Sequence, residues 1–149
     1  MNKPTSNSKA IHKWIDKYIA KPNDKIGGFP VCPFINRYRK QIQIVETDDP
    51  SHVVENFSVF HQQFGIEAVI CHGFDWDYDS LEKFTNKVNR KYKKKDVMTL
   101  FMHPDTEEEP LPIHYTFNKA PLVIIQRISV LESARKSLKK TDYYSYYKE

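Results

Sequence analysis

Gly65-Ile66-Glu67-Ala68-Val69-Ile70-Cys71-His72-Gly73 is the stretch whose reading decides the fold. A short apolar run between two glycines is too brief for a buried helix. It reads as a buried strand with helices on both faces. Upstream, Asp48-Asp49-Pro50-Ser51 supplies caps for a helix that runs to about Phe64. Val53, Val54, Phe57 and Phe60 give that helix an apolar face, and Gly65 is its C′ stop. Before it, Gln41-Ile42-Gln43-Ile44-Val45 alternates polar and apolar residues, the period of a strand.

Downstream, Asp79-Ser80-Leu81-Glu82 has the spacing of an N-cap with an acid at N3. The helix it opens turns Leu81, Phe84, Val88 and Tyr92 inward and ends in Arg90-Lys91-Tyr92-Lys93-Lys94-Lys95, cations that complement the helix dipole. Val97-Met98-Thr99-Leu100-Phe101-Met102 is a third strand, followed by a loop rich in prolines and acids in which Glu107-Glu108-Glu109 reads as solvated. Pro121 suits the first turn of another helical stretch, and Ser129-Val130-Leu131-Glu132 has the form of a capping box for a last helix. At the other end of the chain, Ile11, Trp14, Ile15, Tyr18 and Ile19 lie on one helical stripe that ends at Pro22-Asn23. The following loop, with Gly27-Gly28, Pro30 and Pro33, is half apolar and is expected to lie against the core. The tail Tyr143-Tyr144-Ser145-Tyr146-Tyr147 is expected to pack back on the body.

Strands that alternate with helices predict the α/β class. The expectation is a single compact domain over residues 9–149, with a small, mainly parallel sheet of three strands or slightly more, covered by helices; residues 1–8 are expected to form a flexible arm. The length of 149 residues suits one domain, and 40% hydrophobic with 28% charged residues is ordinary for a globular protein. No apolar run approaches a transmembrane span, and the polar start lacks the apolar core of a secretory signal. Two cysteines, Cys32 and Cys71, without an export signal point to reduced thiols and a cytoplasmic location. The net charge of +4 permits an acidic partner without demanding one.

Two strands end in histidine, at His72 and at His103-Pro104-Asp105. In a parallel sheet, ligands bind beyond the carboxyl ends of the strands. Neighbouring strands are about 4.8 Å apart, so the two imidazoles are placed to converge. Cys32, His72 and His103 then form a ligand set for zinc or another transition metal with a fourth position open. The same groups, with Asp105 nearby, also have the makings of a nucleophile and base. Asp105 would orient an imidazole, and Arg127 would enter from a helix as an anion anchor in cofactor or substrate binding. Against this stands the plainer reading of strand-end residues bonded to backbone.

Cys71, inside an apolar strand, reads as a core residue. Asp75, Asp77 and Asp79 do not make a calcium loop, because Ser80 takes the glycine position and Asn86 the bidentate glutamate position. The basic run 90–95 reads as a solvated helix end, and no nucleic-acid motif accompanies it, so nucleic acid is not an expected partner. Phosphate-cradle, dinucleotide and hydrolase-elbow motifs are absent from the chain.

Trp14, Cys32-Pro33-Phe34, His72, His103-Pro104-Asp105 and Pro121 with Arg127 occur in an order that resembles an uncharacterised family of small bacterial proteins, a domain of unknown function. In that family a first helix containing tryptophan leads into Cys-Pro-Phe. A later strand ends in His and a third in Phe-His-Pro-Asp, and a proline-initiated helix carries an arginine. This chain departs from the pattern at Met102, in the acidic loop after Asp105, and at Ile124, where the family tends to have histidine. The resemblance implies Cys32, His72 and His103 as a set and implies no reaction. Two functions remain open: a metal- or cysteine-dependent enzyme acting on a small molecule, or a non-catalytic binding module for a metal, a nucleic acid or a protein.

Overall fold

In the computed structural model, which describes residues 6–106 and 109–147, the apolar run Ala68–His72 is an interior strand of a four-stranded sheet. The strands are β1 (Ile42–Glu46), β2 (Ala68–His72), β3 (Val97–Met102) and β4 (Leu122–Arg127), in the order β1-β2-β4-β3. Val69 and Cys71 of β2 face one side of the sheet and Ile70 the other, and all three are buried. Burial on both faces is the reason the strand reads as a continuous apolar run.

The three expected strands share this sheet and point the same way. Pairing is parallel between β1 and β2, with Ile44 opposite Ile70, and antiparallel between β2 and β4 and between β4 and β3. β4 occupies the segment after Pro121 that was expected to be helical. Proline lacks an N–H for the ladder and stands just outside it, while Val123, Ile124 and Ile125 are β-branched. The sheet is thus mixed, with one strand reversed between two that run together.

One face is covered by α3 (Pro50–Phe64) and α4 (Tyr78–Tyr92). Val54 and Phe57 of α3 and Leu81 and Val88 of α4 join Val69, Cys71, Val123 and Ile125 in one core. The other face is covered by α1 (Ser6–Trp14), the short α2 (Ile35–Tyr38) and α5 (Ile128–Leu138). α1 begins within the expected flexible arm, of which residues 1–5 lie outside the described residues. Its final turn, Ile15–Ile19, is wound as a π-helix, with Ala20 N–H donating to the Ile15 carbonyl at 2.8 Å. Ile11, Trp14, Ile15 and Ile19 are buried, whereas Tyr18, on the expected stripe, is turned out by the wider turn.

The caps explain where the helices begin. Asp49 accepts from Ser51 N–H at 3.1 Å with Pro50 in the first turn, and Gly65 at φ 67° closes α3. α4 is capped by Asp77, which accepts from Ser80 N–H at 2.7 Å, two residues earlier than the expected Asp79. The expected box at Ser129 is replaced by a tertiary cap. Asp96, in the turn between α4 and β3, accepts from Ser129 N–H at 2.7 Å and from Ser129 Oγ at 2.6 Å. Its carbonyl accepts from Ile128 N–H at 3.1 Å. Asp96 holds φ at 62°, the left-handed region that aspartate tolerates better than most residues. On the edge strand, Asn89 of α4 brackets Thr99, donating to its carbonyl at 3.1 Å and accepting from its N–H at 2.7 Å. Among the described residues no helix is long and apolar enough to cross a membrane.

Replacing Asp96 with alanine removes the cap and adds strain, and is expected to cost about 1–2 kcal/mol. Asp96→Asn should retain most of the stability. Urea denaturation midpoints of the two variants test this; equal midpoints for Asp96→Ala and the parent would show that α5 does not depend on the cap.

Candidate functional site

The histidines emerge at the same end of the sheet, but on opposite faces. His72 shares its face with Ile70, toward α1, and is 2% exposed. His103 continues the side of β3 that faces α4 and is 7% exposed. Its ring is fully occupied: Nδ1 accepts from the Asp105 N–H at 3.0 Å, so Nε2 donates to the Trp76 carbonyl, also at 3.0 Å. Alternation along a strand sends successive residues to opposite faces, and the two strand ends fall out of step. Strands that end at one edge therefore do not deliver these rings to one point.

Cys32 lies in the loop before α2. Its N–H donates to the Ile19 carbonyl at 3.2 Å and its carbonyl accepts from Ile35 N–H at 3.1 Å. The residue keeps exposed surface, yet protein atoms crowd the sulfur. That crowding raises the thiol pKa, against a smaller lowering by the backbone of Phe34 and Ile35. Cys71 is buried in the core on the α3–α4 side, where loss of solvation pushes its thiol up to about 12. Both cysteines are free.

Among the described residues no group of three His, Cys, Asp or Glu side chains is placed to hold a metal ion. The expected Cys32, His72 and His103 set is thus not assembled. Asp105 is no orienting acceptor either, since its carboxylate is exposed and lies 3.8 Å from His103 Nδ1, which already takes the Asp105 N–H. Arg127 is the last residue of β4, not part of a helix, and is engaged in a two-point pair with Glu67 at 3.1 and 3.2 Å. It lies at the sheet end opposite the histidines. Glu109, read as solvated, is a half-buried anchor that accepts from Tyr115 N–H at 2.6 Å, Thr116 N–H at 2.9 Å and His114 Nδ1 at 2.6 Å. Burial raises its carboxyl pKa, but these donors outweigh burial and the net shift is downward. Glu107 and Glu108 lie outside the described residues.

What the α1 face does hold is a cavity of about 320 Å³. Ala68, Ile70, Ile124 and Met102 form its floor, on the sheet. Trp14, Ile15 and Ile19 close one side, and α5 closes another with Val130, Ala134 and Leu138. Cys32-Pro33-Phe34 and the tyrosine tail complete the wall. The tail docks as expected. Tyr143 is 2% exposed, its hydroxyl donates to the Val31 carbonyl, and its ring meets Phe29 edge-on with centroids 5.4 Å apart. Gly27, at φ 69°, leaves room for Tyr146, because a Cβ there would fall 2.6 Å from the Tyr146 hydroxyl. The sequence signal for this cavity was the apolar stripe Val130, Leu131, Ala134 and Leu138 along α5. Neither it nor the tail was read as part of a site. Comparison with known proteins finds no family model, curated protein or solved structure that matches the chain.

His72 carries the one buried side-chain nitrogen or oxygen without a hydrogen-bond partner among the described residues, its Nδ1. Burial lowers its pKa below the ordinary 6.5, and the nearby Glu46 charge offsets only part of that. The unfolded chain therefore takes up this proton first as pH falls. The protein should lose stability as pH drops below about 6.5, until the folded-state pKa is passed. His72→Leu is expected to flatten that part of the stability–pH curve, read from thermal midpoints between pH 7.5 and 4.5 (on the order of the range in which histidine titrates). A variant whose slope equals the parent's would locate the acid sensitivity elsewhere.

Proposed function

We propose that this protein is a binding module that takes a small, largely apolar molecule into the cavity on the α1 face of its sheet, without covalent chemistry. The observation that carries this reading is the cavity itself, a concave and predominantly apolar space of about 320 Å³. Ligand sites of small molecules begin at about 300 Å³ and combine apolar walls with a few polar groups. Here the polar residues of the lining include Cys32, Glu67, Gln126, Arg135 and the tyrosines of α2 and the tail.

The enzyme reading asks for a thiolate with a base beside it. Burial holds the Cys32 thiol up, His103 is on the other face of the sheet with both ring nitrogens engaged, and His72 does not line the cavity. These features support binding over a cysteine-centred reaction.

Trp14 lines the cavity while Trp76 packs against Phe74 and Phe84 on the opposite side of the sheet. In a Trp76→Phe background, Trp14 emission should respond saturably to linear aliphatic alcohols. Affinity should rise roughly fourfold per added methylene and level off once the cavity is full. Ala134→Phe, which fills the space from α5, should abolish the response while leaving the fold intact by circular dichroism. A response that is unsaturable, or the same in Ala134→Phe, would overturn the proposal.

A further inference from the structure

We infer that the ligand of this cavity is an amphipathic acid, with an apolar body inside and an anionic head group held at the mouth by Arg135; this rests on the binding role proposed above. The charges that line the cavity are Glu67 and Arg135. Glu67 is already satisfied. Arg127 grips both of its oxygens, at 3.1 and 3.2 Å, and His61 Nδ1 lies 3.7 Å away. Arg135 has no acidic partner among the described residues. Among the described residues the lining therefore carries one uncompensated positive charge.

The position of Arg135 suits a head group. It lies on an exposed turn of α5, so its guanidinium remains in water while Ala134 and Leu138 on the same helix face the apolar space. Tyr144, from the tail, belongs to the same lining, whereas the Tyr147 hydroxyl donates to Tyr143 at 3.3 Å, since Tyr143 itself donates to Val31. A guanidinium presents a planar fork of donors that matches an acceptor-only carboxylate. A second cation points the same way. Arg37 lines a groove of about 200 Å³ that shares Phe34, Tyr38, Val130 and Ala134 with the cavity, and it makes no ion pair among the described residues. In the cavity lining and the adjoining groove, then, two arginines stand without acids among the described residues, and the acid of the lining is neutralised by a third. A cationic head would meet unbalanced positive charge, and a neutral one would accept from the guanidinium without charge assistance.

Decanoate, 1-decanol and decylammonium share one apolar body and differ in the charge of the head. Each is titrated below its micelle concentration against the Trp76→Phe protein, with Trp14 emission as the signal, and against the same protein carrying Arg135→Gln. Decanoate should bind about three- to tenfold more tightly than decanol, as expected for a charge-assisted contact near solvent, and decylammonium more weakly than either. Arg135→Gln should remove the advantage of decanoate over decanol. If decanol binds and decanoate binds no better, the head-group inference falls while the cavity stands. If decanoate keeps its advantage in Arg135→Gln, the assignment to Arg135 is overturned. If none of the three binds, the cavity reading fails and takes this inference with it.

Discussion

Paired along both of its edges, with β2 on one side and β3 on the other, β4 is the strand on which the remaining structure depends. Without it β3 would have no partner in the sheet, since β2 and β3 never touch as a ladder. β4 also runs directly into α5, which begins at the next residue, and its end carries Arg127, which grips Glu67 just before β2. The helix layer on the α1 face, the cavity under it and the ion pair at its border all follow from where this one reversed strand is inserted.

The parts of the fold visible in the sequence were those encoded locally. The twofold alternation of Gln41 to Val45, the doubly buried run of β2 and the Asp49-Pro50 cap each state their own structure within a few residues. β4 was not visible because Pro121 followed by apolar residues is compatible with a first helical turn as well as with a strand. What decides between them is the pair of empty strand edges waiting on either side, a tertiary condition that no window of sequence contains. The cap of α5 was hidden for the same reason. Ser129 and Glu132 have the right local spacing, yet the carboxylate that serves the helix belongs to Asp96, on the far side of β3 and β4 in the chain.

The candidate site shows the same limit in sharper form. Three of the strands do point one way, and His72 and His103 do stand at the same end of the sheet. Which face a side chain takes depends on register, and a one-residue difference in where a strand ends reverses it. Ile70, Ile124 and Leu100 are aligned across β2, β4 and β3. His72 lies two residues beyond Ile70, but His103 lies three beyond Leu100. An even offset keeps the first ring on the α1 face and an odd offset carries the second to the α4 face, where Trp76 and Asp105 occupy both of its nitrogens. The count was available in the sequence; the register that gives it meaning was not.

The two faces of the sheet are covered by unequal means, and the cavity follows from that inequality. Strands of five or six residues span roughly 17–20 Å. α3 and α4, of 15 residues each, are roughly 22 Å long and cross the whole face. On the opposite face the described helical run from Ser6 through the π-turn to Ile19 has 14 residues, but α5 has eleven and α2 only four. That side is closed piecewise, by a π-turn that widens the end of α1, a proline-bounded loop, α5, and a tail of tyrosines long enough to reach across from the chain terminus. A face closed by several short pieces leaves space at their junctions. Ile70, Ile124 and Met102 pave the floor of that space, while its polar groups come from the ends of the sheet at Glu67 and Gln126, from the loop at Cys32, and from α5 and the tail at Arg135 and the tyrosines. The piecewise cover that leaves the cavity thus also supplies most of its polar groups.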